Sequence, residues 1–166
     1  MKKKIFSLSL FLFAIHLHLF AQTDTAQPSI KISGEVTKPV TLYASDLAKM
    51  LHSTAMVKGR DGKEHQYSGV PVQHLLELAG VTTGKDLHGE NLSKYLLVRC
   101  ADGYEVVFSL AELDSSFTDR IVLLADAYEG KPIATERGPF QLAVPGEKKP
   151  ARSCFQVTEF VIKFAK

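Results

Sequence analysis

Turn-forming pairs interrupt this chain so often that neither a long helix nor a long strand can form between them. Asp61-Gly62 and Asp102-Gly103 are the strongest of these signals. Asp-Gly is favoured in tight hairpins because both central residues tolerate a positive φ. Met56 to Arg60 and Lys63 to Tyr67 flank the first pair; Tyr95 to Cys100 and Tyr104 to Phe108 flank the second, around Ala101. Each flank is strand-length, so the chain carries two predicted hairpins. A fold built from such pieces has to pack short strands around short helices.

The remaining periodicity agrees. Ile30 and Ile32 alternate with Lys31 and Ser33 and stop at Gly34, a half-buried strand pattern. Val40 to Tyr43 follows Pro39 as a second strand, and Ser45 is the expected cap of a short helix carrying Leu47, Met50 and Leu51. Pro71 suits the first turn of a helix, whose apolar face is Leu75, Leu76 and Ala79 and whose stop is Gly80. Thr82 to Ser93 reads as a polar loop. Ser109-Leu110-Ala111-Glu112 has the spacing of a capping box. Ile121 to Ala125 is too apolar for an exposed edge and reads as a buried strand. Phe140 to Val144 and Val157 to Phe164 complete the set, with Phe160, Ile162 and Phe164 on one face. The expectation is an α+β domain with mixed or antiparallel sheets.

Residues 1–21 stand apart from this pattern. Lys2-Lys3-Lys4 precede the apolar run Ile5 to Phe20, and Leu19-Phe20-Ala21 offers a cleavage site, the arrangement of an export signal. Ser7, Ser9, His16 and His18 interrupt the run and weaken it as a permanent anchor. Residues 22–29 form a short polar tail, and 30–166 read as one domain with no membrane span and a periplasmic or secreted location. Three of the twenty Lys and Arg fall in the leader, leaving seventeen against eighteen Asp and Glu. That balance argues against nucleic-acid binding, which needs a clustered basic excess. The two cysteines, Cys100 and Cys154, have two readings. In an oxidising compartment they form a disulfide, closing a loop of about fifty residues worth roughly 4 kcal/mol; alternatively they are two separate buried thiols.

The order of the signposts is more specific than any one of them. Gly34-x-Val36 with Pro39, Leu42 and Asp46-Leu47 precede Tyr67-Ser68-Gly69-Val70-Pro71, Leu75-Leu76 and Ala79-Gly80. Asp102-Gly103-Tyr104, Leu124-Ala125, Gly130-Lys131-Pro132, Gly138-Pro139 and Val144-Pro145 follow. From Ile30 to Ile162 this series resembles the oxidoreductase molybdopterin-binding domain of sulfite oxidases and periplasmic molybdenum reductases. The resemblance implies an α+β fold whose loops clasp a pterin pyrophosphate while one cysteine ligates molybdenum for oxygen-atom transfer. It implies Tyr67, Asp102, Tyr104, Arg137, Gln141, Lys148, Arg152 and Ser153 as the cofactor-binding positions.

Three departures bear on that chemistry. The family's thiolate lies upstream of the Gly-Val-Pro, where this chain reads Thr54-Ala55-Met56-Val57-Lys58-Gly59-Arg60 and holds no sulfur nucleophile. Cys100 is a substitute in the wrong segment. Gln141 stands where the family often has Arg, losing the fixed charge and the five-donor fork. Arg152-Ser153 is the nearest match to the family's Lys-Ser pterin contact, within a loosened pattern.

The cluster Arg137, Lys148, Lys149 and Arg152 reads either as an anion site or as a solvated basic loop beside Glu136 and Glu147. His65 faces either a cleft or solvent. His74 and Glu77 have helical spacing but no further ligand nearby. Asp102 is first of all a turn residue. No Ser-His-Asp context, Gly-rich phosphate loop or Cys-x-x-Cys motif is present.

The expected function is therefore a non-catalytic or altered binding module for a pterin-like or other anionic small ligand. The alternatives are an active molybdenum oxidoreductase with atypical ligation, served by an exported redox partner, and a disulfide-stapled interaction module.

Overall fold

The computed structural model describes residues 27–165. Ten strands form two five-stranded sheets. The first contains β1 (Ser29–Gly34), β2 (Val40–Tyr43), β5 (Lys94–Cys100), β6 (Glu105–Ser109) and β10 (Val157–Phe164), in the order β2-β1-β10-β5-β6. Only β1 and β10 pair in parallel, so this sheet is mixed. The second sheet orders β3 (Ser53–Lys58), β4 (Glu64–Pro71), β7 (Leu123–Tyr128) and β8 (Lys131–Pro132), and β9 (Gln141–Ala143) pairs with β7. Both predicted hairpins form, β3–β4 and β5–β6, with Gly62 and Gly103 at positive φ in their turns.

The helices are short. α1 (Ala44–Leu47) starts at Tyr43 rather than at Ser45, because the Asp46 carboxylate reaches back to accept from Tyr43 N–H at 3.0 Å. α2 (Val72–Leu78) buries Val72, Leu75 and Leu76 and ends before Gly80 at φ +70°. The Ser109–Glu112 capping box forms and opens a single 3₁₀ turn, Leu110–Leu113. Thr82 to Ser93 contains two more such turns, pinned where buried Asp114 accepts from Gly84 N–H.

The main core lies between the sheets and α2. Ile30, Ile32, Leu75, Leu96, Phe108, Leu124, Phe140, Leu142 and Phe160 are almost wholly excluded from water. Each such side chain contributes about 1.5–3 kcal/mol relative to exposure. The other face of the second sheet carries a smaller cluster, Val57, Tyr67, Leu123, Ala125 and Ala143, with Tyr128 packed against it. That face positions the site.

Gly69 is the close approach that holds the second sheet together. A Cβ there would meet the Leu124 carbonyl oxygen at 2.2 Å, where a bulge shifts the β4–β7 register. β7 begins two residues later than the apolar run implied and continues to Tyr128, because main-chain pairing to β4 outlasts the apolar side chains. That extension carries Tyr128 beside Tyr67. Among the described residues no helix is long and apolar enough to cross a membrane.

Candidate functional site

A cavity of about 500 Å³ opens at the smaller cluster, walled by both hairpin turns and by the 150–155 segment. β3 supplies Val57 and Lys58, β4 supplies His65 and Tyr67, and β7 supplies Tyr128. β9 supplies Gln141, and Arg137, Asp102, Tyr104, Ser153, Cys154 and Phe155 close it from the loops. Main-chain bonds fix those loops against each other: Gln156 N–H donates to Arg137 C=O at 3.0 Å and Leu142 N–H to Cys154 C=O at 2.9 Å.

Tyr67, Arg137 and Gln141 form the polar centre. The Tyr67 hydroxyl accepts from Arg137 Nη2 at 2.8 Å and from Gln141 Nε2 at 3.4 Å. Arg137 lies over the Tyr128 ring at 5.2 Å and the Phe155 ring at 4.6 Å, so aromatic faces hold its charge in place. Two buried atoms of this centre have no protein partner, Arg137 Nε and Gln141 Oε1. Each orphaned group costs about 1–3 kcal/mol. Gln141 is only 1% exposed, and that degree of burial makes the unpaired oxygen notable.

A second chain of polar contacts runs outward from the cavity. His65 Nε2 lies 3.1 Å from both Asp61 carboxylate oxygens, and its Nδ1 lies 2.8 Å from the Tyr128 hydroxyl. Lys63 N–H and His65 hold the Asp61 carboxyl below its ordinary pKa. Burial, with Tyr67 and Glu129 beside it, raises Tyr128 above the usual phenol value, so it stands as a neutral hydroxyl.

Of the positions expected from sequence, Tyr67, Asp102, Tyr104, Arg137, Gln141 and Ser153 line this cavity. Asp102 accepts from Tyr104 N–H in its turn, and the Tyr104 hydroxyl donates to Ala151 C=O at 3.1 Å. Ser153 Oγ accepts from Val144 N–H. Lys148 lines an adjoining outer cavity with Lys58, Arg60 and Lys149. None of these four cations pairs with a carboxylate among the described residues.

Arg152 is placed elsewhere. Its guanidinium bridges Glu112 at 3.0 Å and Glu147 at 2.5 Å, donates to Val107 C=O and covers the Phe108 ring. Its charge is spent inside the fold, away from the cavity lining. Of the two cysteines, Cys154 lines the cavity and Cys100 does not. They are neighbours, and in this structure both are free buried thiols in contact, which is the second of the two readings. That contact and burial raise the Cys154 pKa, while the same contact lowers that of Cys100.

Sequence reasoning did not assign Tyr128, Phe155 or Cys154 to the site and left His65 undecided. The signal for His65 was its place across an Asp-Gly turn from Asp61. Tyr128 gave none, since only the β4–β7 register sets it opposite Tyr67.

Fold and site together define a two-sheet α+β domain with a polar cavity at the ends of its hairpins. Residues 16–149 match the model of the oxidoreductase molybdopterin binding domain, and the chain belongs to that family. Among solved structures it is similar to the sulfane dehydrogenase SoxCD from Paracoccus pantotrophus, at TM-score 0.65 and 22% identity. The match covers 81% of this chain and 38% of that one, and at this identity it speaks for the fold alone. No curated protein matches.

The family's cofactor is a useful test of the lining. Its polar, anionic part fits through the cations: Arg137 Nε is a buried unpaired donor, and Lys58 and Arg60 line the cavity, whereas the unpaired Gln141 Oε1 is an acceptor and suits an N–H of the ligand. Its metal does not. Val57 occupies the cavity wall in the segment where the family carries its thiolate, and Cys154 is held as a thiol. No group of three or more His, Cys, Asp or Glu that could hold a metal occurs among the described residues.

Proposed function

We propose that this domain is a binding module for a pterin-like or other anionic small ligand, without molybdenum held through a protein thiolate. The observation that carries the reading is the pairing of Val57 on the wall with Arg137 and Gln141 in the polar centre. Part of the anion-recognising side of the site remains, in Arg137 with Lys58 and Arg60, while no soft metal ligand stands on the β3 wall, where Val57 is aliphatic. A guanidinium clamped between two aromatic rings is pre-organised for a planar anion, because little rotamer freedom remains to be lost on binding.

The protein is exported through its residues 1–21, and the mature chain begins near Gln22. These residues lie outside those the structure describes. Their basic start, apolar run and Ala21 are what support this reading. The deciding experiment purifies the mature protein from a molybdenum-replete host and measures bound metal and pterin. Pterin or another co-purifying anion without stoichiometric molybdenum is expected, and stoichiometric molybdenum overturns the proposal.

One observation supports a second reading, a molybdenum oxidoreductase with atypical ligation: Cys154 lines the same cavity. Replacing Cys154 by Ser would then abolish metal retention, whereas Cys100→Ser would not. That reading also needs an exported electron-transfer partner, since the chain has no haem-attachment Cys-x-x-Cys-His.

A further inference from the structure

We propose that Asp61, His65 and Tyr128 form an acid–base triad that moves a proton between the cavity and solvent. The anion taken by the cavity is then one bearing a weakly acidic enol, phenol or lactam proton. Only that ligand class rests on the anion-binding reading; the triad stands on its own geometry.

With the His65 ring neutral, its hydrogen bonds have one consistent assignment. A carboxylate only accepts, so His65 Nε2, at 3.1 Å from both Asp61 oxygens, carries the hydrogen. In the neutral ring Nδ1 is then the acceptor, and the Tyr128 hydroxyl donates to it across 2.8 Å. This is the carboxylate–imidazole–hydroxyl order by which an adjacent base activates a weak nucleophile, with a phenol in the hydroxyl position. The chain also spans the right boundary. The Asp61 side chain is 49% exposed and that of His65 21%, while Tyr128 packs against the buried cluster beneath the cavity.

Two further observations separate this from a simple turn brace. Asp61 already caps its turn by accepting from Lys63 N–H at 3.0 Å, which requires neither His65 nor Tyr128. The backbone also makes room for the contact. A Cβ on Gly59 would stand 2.7 Å from Asp61 Oδ1 and 2.9 Å from His65 Nε2, so any side chain there displaces the pair. Arg137, lying over the Tyr128 ring, sets a positive charge near the hydroxyl that favours negative charge developing there.

The step balances without an oxidant or reductant. The Tyr128 proton passes to His65 Nδ1 as the phenol oxygen takes the ligand's acidic proton. The imidazolium, steadied by Asp61 and by Glu129 at 3.5 Å from Nδ1, releases a proton to solvent. The ligand remains as its anion opposite Arg137. General acid–base groups placed in this way are worth typically 10²–10⁴ in rate.

An uncharged probe, phenylmethanesulfonyl fluoride, tests the triad without the natural ligand. It transfers its sulfonyl group to an activated phenol oxygen, with loss of fluoride and of the phenol proton. Peptide mass analysis of the mature protein should show Tyr128 labelled at least tenfold faster than exposed Tyr104, which has no base beside it. His65→Gln should remove that preference. Gly59→Ala should do the same in a protein that melts near the wild-type temperature. Equal labelling of Tyr128 and Tyr104, or unchanged Tyr128 labelling in both variants, overturns the triad. Pyrophosphate titrated by calorimetry into the same wild-type protein reads the anion site separately. Intact labelling with no pyrophosphate binding overturns the ligand class and leaves the triad standing.

Discussion

At the scale of single residues, the polar centre is assembled at a cost to stability. Gln141 is buried in β9 with its carbonyl oxygen unpaired, and Arg137 Nε is in the same position. A site that keeps such groups is less stable than one filled with apolar atoms of similar shape. Gln141→Met removes the orphan while keeping the side chain's length. The variant should be as stable as the wild type or about 1 kcal/mol more so, while retention of the co-purifying ligand falls. Thermal melts and ligand analysis of one preparation read both effects, and a marked loss of stability would mean that Gln141 is structural. Arg152 is the contrasting case. Arg152→Ala breaks its pairs with Glu112 and Glu147 and its packing on Phe108. Because the pair is only partly shielded from water, the expected cost is about 1–3 kcal/mol in chemical denaturation. Ligand content should not change.

At the scale of elements, one contact ties the segment before β3 to β7 and makes that tie pH-dependent. His52 Nδ1 lies 3.0 Å from Met50 C=O and Nε2 lies 2.9 Å from Asp126 Oδ2. Both neighbours are acceptors, so both bonds form only with the imidazolium. The hydrogen bond to Asp126 raises the His52 pKa, against burial, which lowers it. A folded pKa above the unfolded one means that the contribution is fully present below the ordinary value of 6.5 and is lost as pH rises through the folded pKa. The His52 ring resonances should titrate above 6.5 in the wild type, and Asp126→Asn should bring the midpoint down. Stability should fall between mildly acidic and mildly alkaline pH in the wild type and fall less in the variant. Asp114 behaves oppositely: burial raises its pKa, but the Gly84 and Ser116 N–H donors outweigh this and leave it lowered. Its contribution is complete at neutral pH and is lost only in acid.

At the scale of the whole molecule, the parallel pairing of β1 with β10 joins the two ends of the domain and places the 150–157 segment over the hairpin turns. This closure brings Cys154 beside Cys100 and buries both. Iodoacetamide should therefore modify neither thiol readily in the native protein and both in denaturant, as counted by intact mass. A species that takes up no label even when unfolded would show the disulfide instead. The same closure explains why some of the site was legible in the chain and some was not. Asp61-Gly62 and Asp102-Gly103 announced the hairpins because a positive φ is a local requirement. Tyr67, Arg137 and Gln141 were placed through the resemblance. Arg152 was drawn toward the cofactor because sequence shows a charge and not its partner, and Glu112 lies forty residues away.

The sequence by itself determined the strand-length pieces, their turns, the capping box at Ser109 and the absence of a cysteine from residues 54–60. These are properties of neighbouring residues and of side-chain chemistry. Tertiary structure alone decided which side chains share the cavity. Tyr128 reaches His65 through the register of β7 on β4, and Cys154 rather than Cys100 faces inward because β10 closes the first sheet. Register and closure depend on burying both faces of two sheets at once, a condition that no local window of the chain contains.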